Sequence, residues 1–177
     1  FDRILYHFGN SPFHQHMFAL LESHPGVVVL HDFFLSGVLH QRDTVGGAPG
    51  SWRRELYHSH GYPALAELYL SGDVTSSTWK YPANLSVLQG ANGLIVHSAN
   101  SLRLAQQWYG VQNADRFAVI PLMRAPRLSI SREQARAVLG IDENTFVVCS
   151  FGLLGPHKLN HRLIEAWNAS ALARDRD

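Results

Sequence analysis

The chain has 177 residues, of which 46% are hydrophobic and 16% are charged, and this composition favours a packed globular core. Its 15 lysines and arginines nearly balance its 14 aspartates and glutamates, so it lacks the basic field that would hold a nucleic-acid backbone. We therefore expect no nucleic-acid partner.

The cysteine content and the hydropathy of the sequence indicate in which cellular compartment the protein is expected. Cys149 is the only cysteine, so no internal disulfide framework can form, and its apolar neighbours in "FVVCSF" predict a buried thiol. No apolar stretch approaches the ~20 residues of a membrane span, and the first residues lack the layout of a signal peptide. We expect a cytoplasmic location, with the inner face of the membrane as the alternative, and a chain that is part of a longer protein.

Short apolar runs predict strands along the whole chain. They are "RILYHF" (3–8), "VVVLHD" (27–32), "GLIVHS" (93–98), "FAVIP" (117–121) and "TFVVCSF" (145–151). Nearly continuous apolar character of this kind is typical of strands that are covered on both faces. The runs therefore predict a parallel sheet with helices on both faces.

Helical patterns separate these runs. "PFHQHMFALLESHPG" carries an apolar face and stops at Pro25, and residues 33–92 are long enough for several helices. "SANSLRLAQQWYG" ends at Gly110, and "SREQARAVLG" opens with a capping box of Ser131 and Gln134. Strands that alternate with helices define an α/β fold.

A domain boundary is predicted over residues 122–130. Pro121 and Pro126 lie among weakly periodic residues, after one predicted strand and before a newly capped helix. Residues 1–121 form one domain in this interpretation. Residues 131–177 contribute a first βα unit that is too small to bury a core of its own.

Polar side chains gather where the predicted strands end. Because ligands bind at the carboxyl ends of parallel strands, this edge is the predicted site. The side chains concerned are His7, Asn10, Ser11, His31, Asp32, Ser98 and Lys158.

The loop "FGLLGPHK" after the last predicted strand has the chemistry of a phosphate site. Gly152 and Gly155 allow a ligand to approach the backbone, and Lys158 places a positive charge at the start of the next helix. The spacing matches no standard phosphate fingerprint. An ordinary glycine turn with a solvated lysine is therefore the alternative.

Four segments carry a resemblance to a known family. They are "VVVLHDFFL", "GLIVHSANSLRLAQQWYG", "FAVIPL" and "FVVCSFGLLGPHKLNHRLIEAW". In this order they resemble the large bacterial group-1 family of retaining GT-B glycosyltransferases, which have two Rossmann-like domains. The resemblance implies that residues 1–121 are the later part of the acceptor domain and that residues 131–177 begin the donor domain.

The resemblance also implies a donor site. Gly152 and Lys158 match the family loop that holds the donor diphosphate, whereas Leu153 stands where the family has an arginine. Diphosphate binding would then depend on Lys158 and backbone N–H groups. The family's later pair of glutamates does not occur in this sequence.

On the acceptor side, His31 matches a histidine that the family often carries at a strand end, where it faces the transferred sugar. It would bind a sugar hydroxyl or polarise the departing phosphate, and a helix cap or a core histidine is the alternative. Asp32 is predicted as an N-cap. Asn10, Ser11 and His14 are expected either to contact the acceptor or to cap a helix. Ser98 lies on the acceptor side, and a helix cap is favoured over a ligand contact.

The resulting functional prediction is transfer of a sugar from a nucleotide-diphosphate donor to a glycan or lipid-linked acceptor, with retention. No metal is expected, because the pairs His14/His16 and His58/His60 are spaced i,i+2 and point apart on a helix. A non-catalytic Rossmann-like binding or regulatory module is the alternative. We also expect residues 1–177 alone to be inactive, and residues 145–172 to associate with a second copy.

Overall fold

The computed structural model describes residues 3–110, 114–123, 125, 129–152, 154–155 and 158–174. The chain divides into two compact units, Phe1–Arg124 and Ala125–Asp177. This division falls inside the predicted linker 122–130. The assignment of the two units to acceptor and donor stays a prediction.

The first unit is an α/β domain built on a parallel sheet. Its strands are β1 (Leu5–Phe8), β2 (Val27–Leu30), β3 (Gly93–Val96) and β4 (Phe117–Val119), and they lie in the order β1-β2-β3-β4 with every described pairing parallel. Its helices are α1 (His16–Ser23), α2 (Ser36–Thr44), α3 (Ser51–Ser71), α4 (Val74–Lys80), α5 (Leu85–Gly90) and α6 (Ala99–Tyr109). The described part of the unit also contains two 3-10 segments, Pro12–His14 and Ala114–Arg116. The first four predicted strands and the helical region 33–92 are thus confirmed.

The hydrophobic core lies on one face of this sheet. Alternate strand residues Tyr6, Phe8, Val28, Leu30, Leu94 and Val96 belong to a single buried cluster. Leu5 and His7 point away from that cluster and are exposed, as the period of two along a strand requires. The described residues therefore show a covered core face, and a helical cover on the second face stays a prediction.

Two of the predicted helix ends are confirmed in detail. Helix α6 ends at Gly110, which has φ +63° and so takes a left-handed conformation that favours glycine. Helix α7 (Arg132–Leu139) begins with the predicted capping box, in which Ser131 Oγ accepts from Gln134 N and the Gln134 side chain accepts from Ser131 N. These local signals need no tertiary contact, which is why the sequence reveals them.

A buried polar network joins the helices to the loop before α5. Asn84 is fully buried; its Nδ2 donates to Phe33 O at 2.5 Å, and its Oδ1 accepts from Tyr109 Oη at 2.6 Å. Nearby, His60 Nε2 accepts from Ala83 N at 3.1 Å. Burial lowers the pKa of His60 to about 4, which keeps the imidazole neutral and able to accept this bond.

The second unit contains α7, α8 (Asn160–Ala169) and a 3-10 segment, Ala171–Arg174. None of its described residues is buried, in keeping with its small size. The predicted strand over 145–151 is wrong for the part described: these residues have no regular secondary structure. A strand needs a partner with which to exchange backbone hydrogen bonds, and the described part of this unit contains no second strand.

The predicted burial of Cys149 is also wrong, since the thiol is exposed. Its apolar neighbours pack only partially against α8, where the rings of Phe146 and Trp167 lie parallel with centroids 6.4 Å apart. Val148 and Phe151 remain 45% and 89% exposed. Association of residues 145–172 with a second copy stays a prediction. Across the described ranges, no helix combines the length and the apolar character that crossing a membrane demands.

His60 provides a test of the core. Because its pKa is about 4 in the folded protein and ~6.5 when unfolded, the unfolded chain binds the extra proton first as the pH falls. The stabilising contribution of neutral His60 should be complete above pH ~6.5 and be lost between pH ~6.5 and about 4, up to roughly 3 kcal/mol. Thermal unfolding across this range measures it.

The variant His60→Gln should flatten this part of the stability profile, because glutamine does not titrate and keeps an acceptor oxygen. His24→Gln, at an exposed position after α1, is the matched control and should retain the wild-type profile. Identical profiles for wild type and His60→Gln would contradict the assignment.

Candidate functional site

The register of the sheet aligns the carboxyl ends of its strands. Phe8 pairs with Leu30, and Leu30 pairs with Val96, so β1, β2 and β3 end at the same level. The ladder continues for one residue, because His31 N donates to Phe8 O at 2.8 Å. Polar residues that follow the three strands are therefore brought to one edge, as the sequence predicts.

A row of three hydrogen-bonded histidines lies at this edge, and we call His7, His31 and His97 the histidine chain. His7 Nδ1 lies 2.9 Å from His31 Nε2, and His31 Nδ1 lies 2.9 Å from His97 Nε2. Adjacent rings have centroids 5.2 and 4.9 Å apart. Since Phe8, Leu30 and Val96 point to the core, their neighbours in the histidine chain point to the opposite face.

When all three imidazoles are neutral, the last bond of the histidine chain fixes the positions of their protons. His97 Nδ1 lies 2.9 Å from Ile120 O, and a carbonyl oxygen can only accept, so His97 Nδ1 carries a proton. Neutral His97 then accepts at Nε2 from His31 Nδ1, and neutral His31 accepts at Nε2 from His7 Nδ1. Within the described residues, this order leaves the lone pair of His7 Nε2 free.

The pKa of His31 supports the neutral state of the middle ring. Burial, together with His97, His7 and His14, lowers the pKa of His31, and Asp32 acts in the opposite direction. Although part of the His31 side chain is exposed, neighbouring rings occupy both of its nitrogens, which are the atoms that would carry the charge. A proton added at His31 Nε2 would keep both bonds only if His7 moved its own proton from Nδ1 to Nε2.

Asn10 and Asp32 shape the loops beside the histidine chain. Asp32 Oδ2 accepts from Asn10 N at 2.8 Å, and Asn10 Oδ1 accepts from Val38 N at 2.8 Å. Val38 lies in the first turn of α2, whose own N-cap residue, Leu35, has no capping side chain. Asn10 thus caps a helix that is distant in sequence. The predicted N-cap role of Asp32 is wrong, because Phe33 to Leu35 separate it from α2.

His14, Ser11 and Ser98 complete this edge. A Cβ on Gly9 would lie 3.0 Å from His14 Nε2 and 3.3 Å from Asp32 Oδ2, so glycine allows this loop to approach both. His14 Nδ1 is buried and has no hydrogen-bond partner among the described residues. Ser11 and Ser98 hold N-cap positions, but neither side chain makes a capping bond. Their hydroxyl groups remain available to a ligand.

The predicted phosphate loop of the second unit folds onto itself. Lys158 N donates to Gly155 O at 3.0 Å, and Asn160 Nδ2 donates to Ser150 Oγ at 2.8 Å. Gly152 has φ +124°, and a Cβ there would lie 3.7 Å from Lys158 Cε. Gly152, Gly155 and Lys158 are therefore close together, as the sequence predicts, whereas Leu153 lies outside the described residues.

The electrostatics of this loop suit an anion. The Lys158 side chain is exposed and forms no ion pair with any residue the structure describes. Helix α8 begins just beyond it, and its N-cap residue, Leu159, provides no capping side chain. The first N–H groups of the helix are thus left for water or a ligand.

Sequence reasoning identified part of the histidine chain. It named His7 and His31 but missed His97, although "YHF", "LHD" and "VHS" show a histidine at the end of each strand. In the part of the chain that the structure describes, no group of three or more His, Cys, Asp or Glu side chains is arranged to hold a metal ion. No protein-family model, curated protein or solved structure matches this chain.

The proton order gives a direct prediction for the histidine chain. In their neutral forms, His7, His31 and His97 should all be Nδ1–H tautomers. Nitrogen-15 chemical shifts of the imidazoles, assigned by loss of signals in single His→Gln variants, measure this. An Nε2–H tautomer at His97 would contradict the bond to Ile120 O and with it the proposed order.

Proposed function

We propose that this chain is part of a retaining glycosyltransferase that transfers a sugar from a nucleotide-diphosphate donor to a glycan or lipid-linked acceptor. The observation that carries the proposal is the histidine chain at the carboxyl edge of a parallel sheet, where such folds bind ligands. Its free acceptor, His7 Nε2, suits the hydroxyl groups of a sugar. The two-domain GT-B architecture and a cytoplasmic location belong to this proposal.

The first unit serves the acceptor side in this proposal. His31 has no ring nitrogen free for a substrate, because its two nitrogens bind His7 and His97. We therefore assign the contact with the sugar to His7 Nε2, and His31 acts by holding His7 as the Nδ1–H tautomer. The hydroxyls of Ser11 and Ser98 add acceptor contacts, whereas Asn10 orders the loop.

The second unit serves the donor side. Lys158 would hold the diphosphate together with backbone N–H groups at the start of α8, and Gly152 and Gly155 would let the phosphates approach the loop. As the sugar departs, negative charge grows on the diphosphate, and these groups would stabilise it without a metal. The nucleotide sugar is then the donor substrate, and no further cofactor takes part.

A non-catalytic binding or regulatory module is the second candidate. Leu153, at the position of the family's arginine, favours it, because leucine removes a bidentate phosphate ligand. Loss of that ligand weakens donor binding without changing the acceptor edge. Turnover of a nucleotide sugar by the full-length protein separates the two candidates.

Lys158 tests the donor side. In the full-length protein, Lys158→Ala should weaken binding of the nucleoside diphosphate by about 1.5–3 kcal/mol, the range for a hydrogen bond to a charged group. Calorimetry with UDP, GDP and ADP measures this. Arg174→Ala removes an exposed positive charge elsewhere in the same unit and should leave the affinity unchanged. Equal affinities in Lys158→Ala and wild type would make Lys158 a solvated surface residue.

The histidine chain tests the acceptor side. In the full-length protein, His7→Ala and His31→Ala should each lower kcat with a smaller effect on thermal stability, because the first removes the group that contacts the sugar and the second removes the ring that holds His7 in position. His24→Ala is the exposed control. If His31→Ala reduced the melting temperature as strongly as the activity, the residue would be structural and the assignment would fail.

A further inference from the structure

A cavity of about 580 Å³ lies among helices α1, α2, α3 and α5 of the first unit. No member of the histidine chain lines it, and its volume is in the range typical of small-molecule sites. One part of its wall is apolar and is formed by Phe18, Leu21, Leu39 and Val87. The cavity is therefore a second candidate site in this unit, separate from the strand ends.

Two arginines supply the positive charges in the cavity lining, which also contains the acids Glu22 and Glu55. Arg42 and Arg54 line it, and neither forms an ion pair with a described residue. The Arg42 guanidinium lies 5.4 Å from the centroid of the Phe18 ring, and Arg54 Nη1 makes a long contact of 3.4 Å with Pro49 O. Most of the N–H donors on the two guanidinium groups thus remain available.

Ser51 is the independent observation that points to a ligand. It is the first residue of α3, whose first segment runs as far as a break at Gly61, where φ is +73°, and it lines the same cavity. The residue is only 7% exposed, yet its Oγ has no hydrogen-bond partner among the described residues. A buried hydroxyl without a partner is unfavourable, and a bound acceptor would satisfy it.

The remaining polar groups of the cavity are mostly occupied. The Glu55 carboxylate accepts from Ser59 Oγ at 2.8 Å and from Ser86 N at 3.0 Å, and it also contacts Ser86 Oγ. His58 Nε2 is bonded to Gln89 Oε1 at 3.1 Å. Glu22 is an exposed acid on the same wall. Among the described side chains that line the cavity, those without a hydrogen-bond partner thus carry mainly N–H and O–H donors.

We propose that this cavity binds an organic phosphate, with the phosphate at Ser51, Arg42 and Arg54 and the apolar body against Phe18 and Leu39. Guanidinium groups and a serine hydroxyl match the terminal oxygens of a phosphate ester, and these side chains form the site because Ser51 N and Arg54 N already donate to Ala48 O and Gly50 O. A soluble phosphate ester and the head group of a lipid present this same chemistry. The proposal is independent of the function assigned to the histidine chain.

Titration of the nitrogen-15-labelled chain by NMR tests the site. Phenyl phosphate represents a soluble ester, and phosphatidylcholine vesicles with and without phosphatidic acid represent the lipid source. Saturable shifts with phenyl phosphate indicate a soluble ester, and sedimentation with vesicles only when phosphatidic acid is present indicates a lipid. Either result supports the proposal, and the absence of both overturns it.

Variants identify the residues involved. Arg42→Gln and Arg54→Gln should each weaken the binding of whichever probe binds by roughly tenfold, whereas Arg103→Gln, an exposed arginine on α6, should not change it. Ser51→Ala should weaken binding while leaving the melting temperature of the free protein unchanged or higher, because it removes an unsatisfied hydroxyl. Equal affinity in all variants, or equally tight binding of phenol, would overturn the proposal. Circular dichroism confirms that each variant is folded.

Discussion

The parallel register of β1, β2 and β3 is the constraint on which the rest of the first unit depends. It places Phe8, Leu30 and Val96 at one level, so their side chains enter the core together. Because side chains alternate along a strand, the same register places the neighbouring histidines together on the other face. A slip of one residue would send the histidines into the core and expose the apolar row.

Directionality distinguishes the histidine chain from three histidines that are merely close. In a row of hydrogen-bonded imidazoles, the donors could point in either direction. A carbonyl oxygen at one end can only accept, so it allows one direction for a neutral row. The electrostatic effect is cumulative, since each donated bond makes the next nitrogen a better donor or acceptor. All three bonds of the histidine chain therefore make His7 Nε2 a better hydrogen-bond acceptor.

Local signals in the sequence were sufficient for most of the fold of the first unit. Gly110 acts within a few residues of the end of α6, so periodicity and caps identified the helices, and the capping box of Ser131 and Gln134 did the same in the second unit. The segment 145–151 has the composition of a strand, but composition does not supply a pairing partner, and the described part forms none. The burial expected of Cys149 failed for the same reason.

The part of the candidate site that consists of side chains at strand ends was predictable from the sequence. His7 and His31 were found in this way, and His97 could have been found by the same rule. The contacts of Asn10 and Asp32 were not predictable, because they join residues 22 and 28 positions apart in sequence. Ser51 and Arg42 also line one cavity only because helices α2 and α3 pack together.

The cap that Asn10 provides for α2 has a consequence for how this sequence can vary. A Cβ on Gly37 would lie 2.9 Å from the Asn10 amide, so the helix can accept this cap only while position 37 has no side chain. A Cβ on Gly9 would lie 3.0 Å from His14 Nε2 and 3.3 Å from Asp32 Oδ2, and the Asp32 carboxylate also accepts from Asn10 N. Positions 9, 10, 32 and 37 should consequently covary among homologues as a single group, although Gly9 lies in the loop after β1 and Gly37 lies in α2.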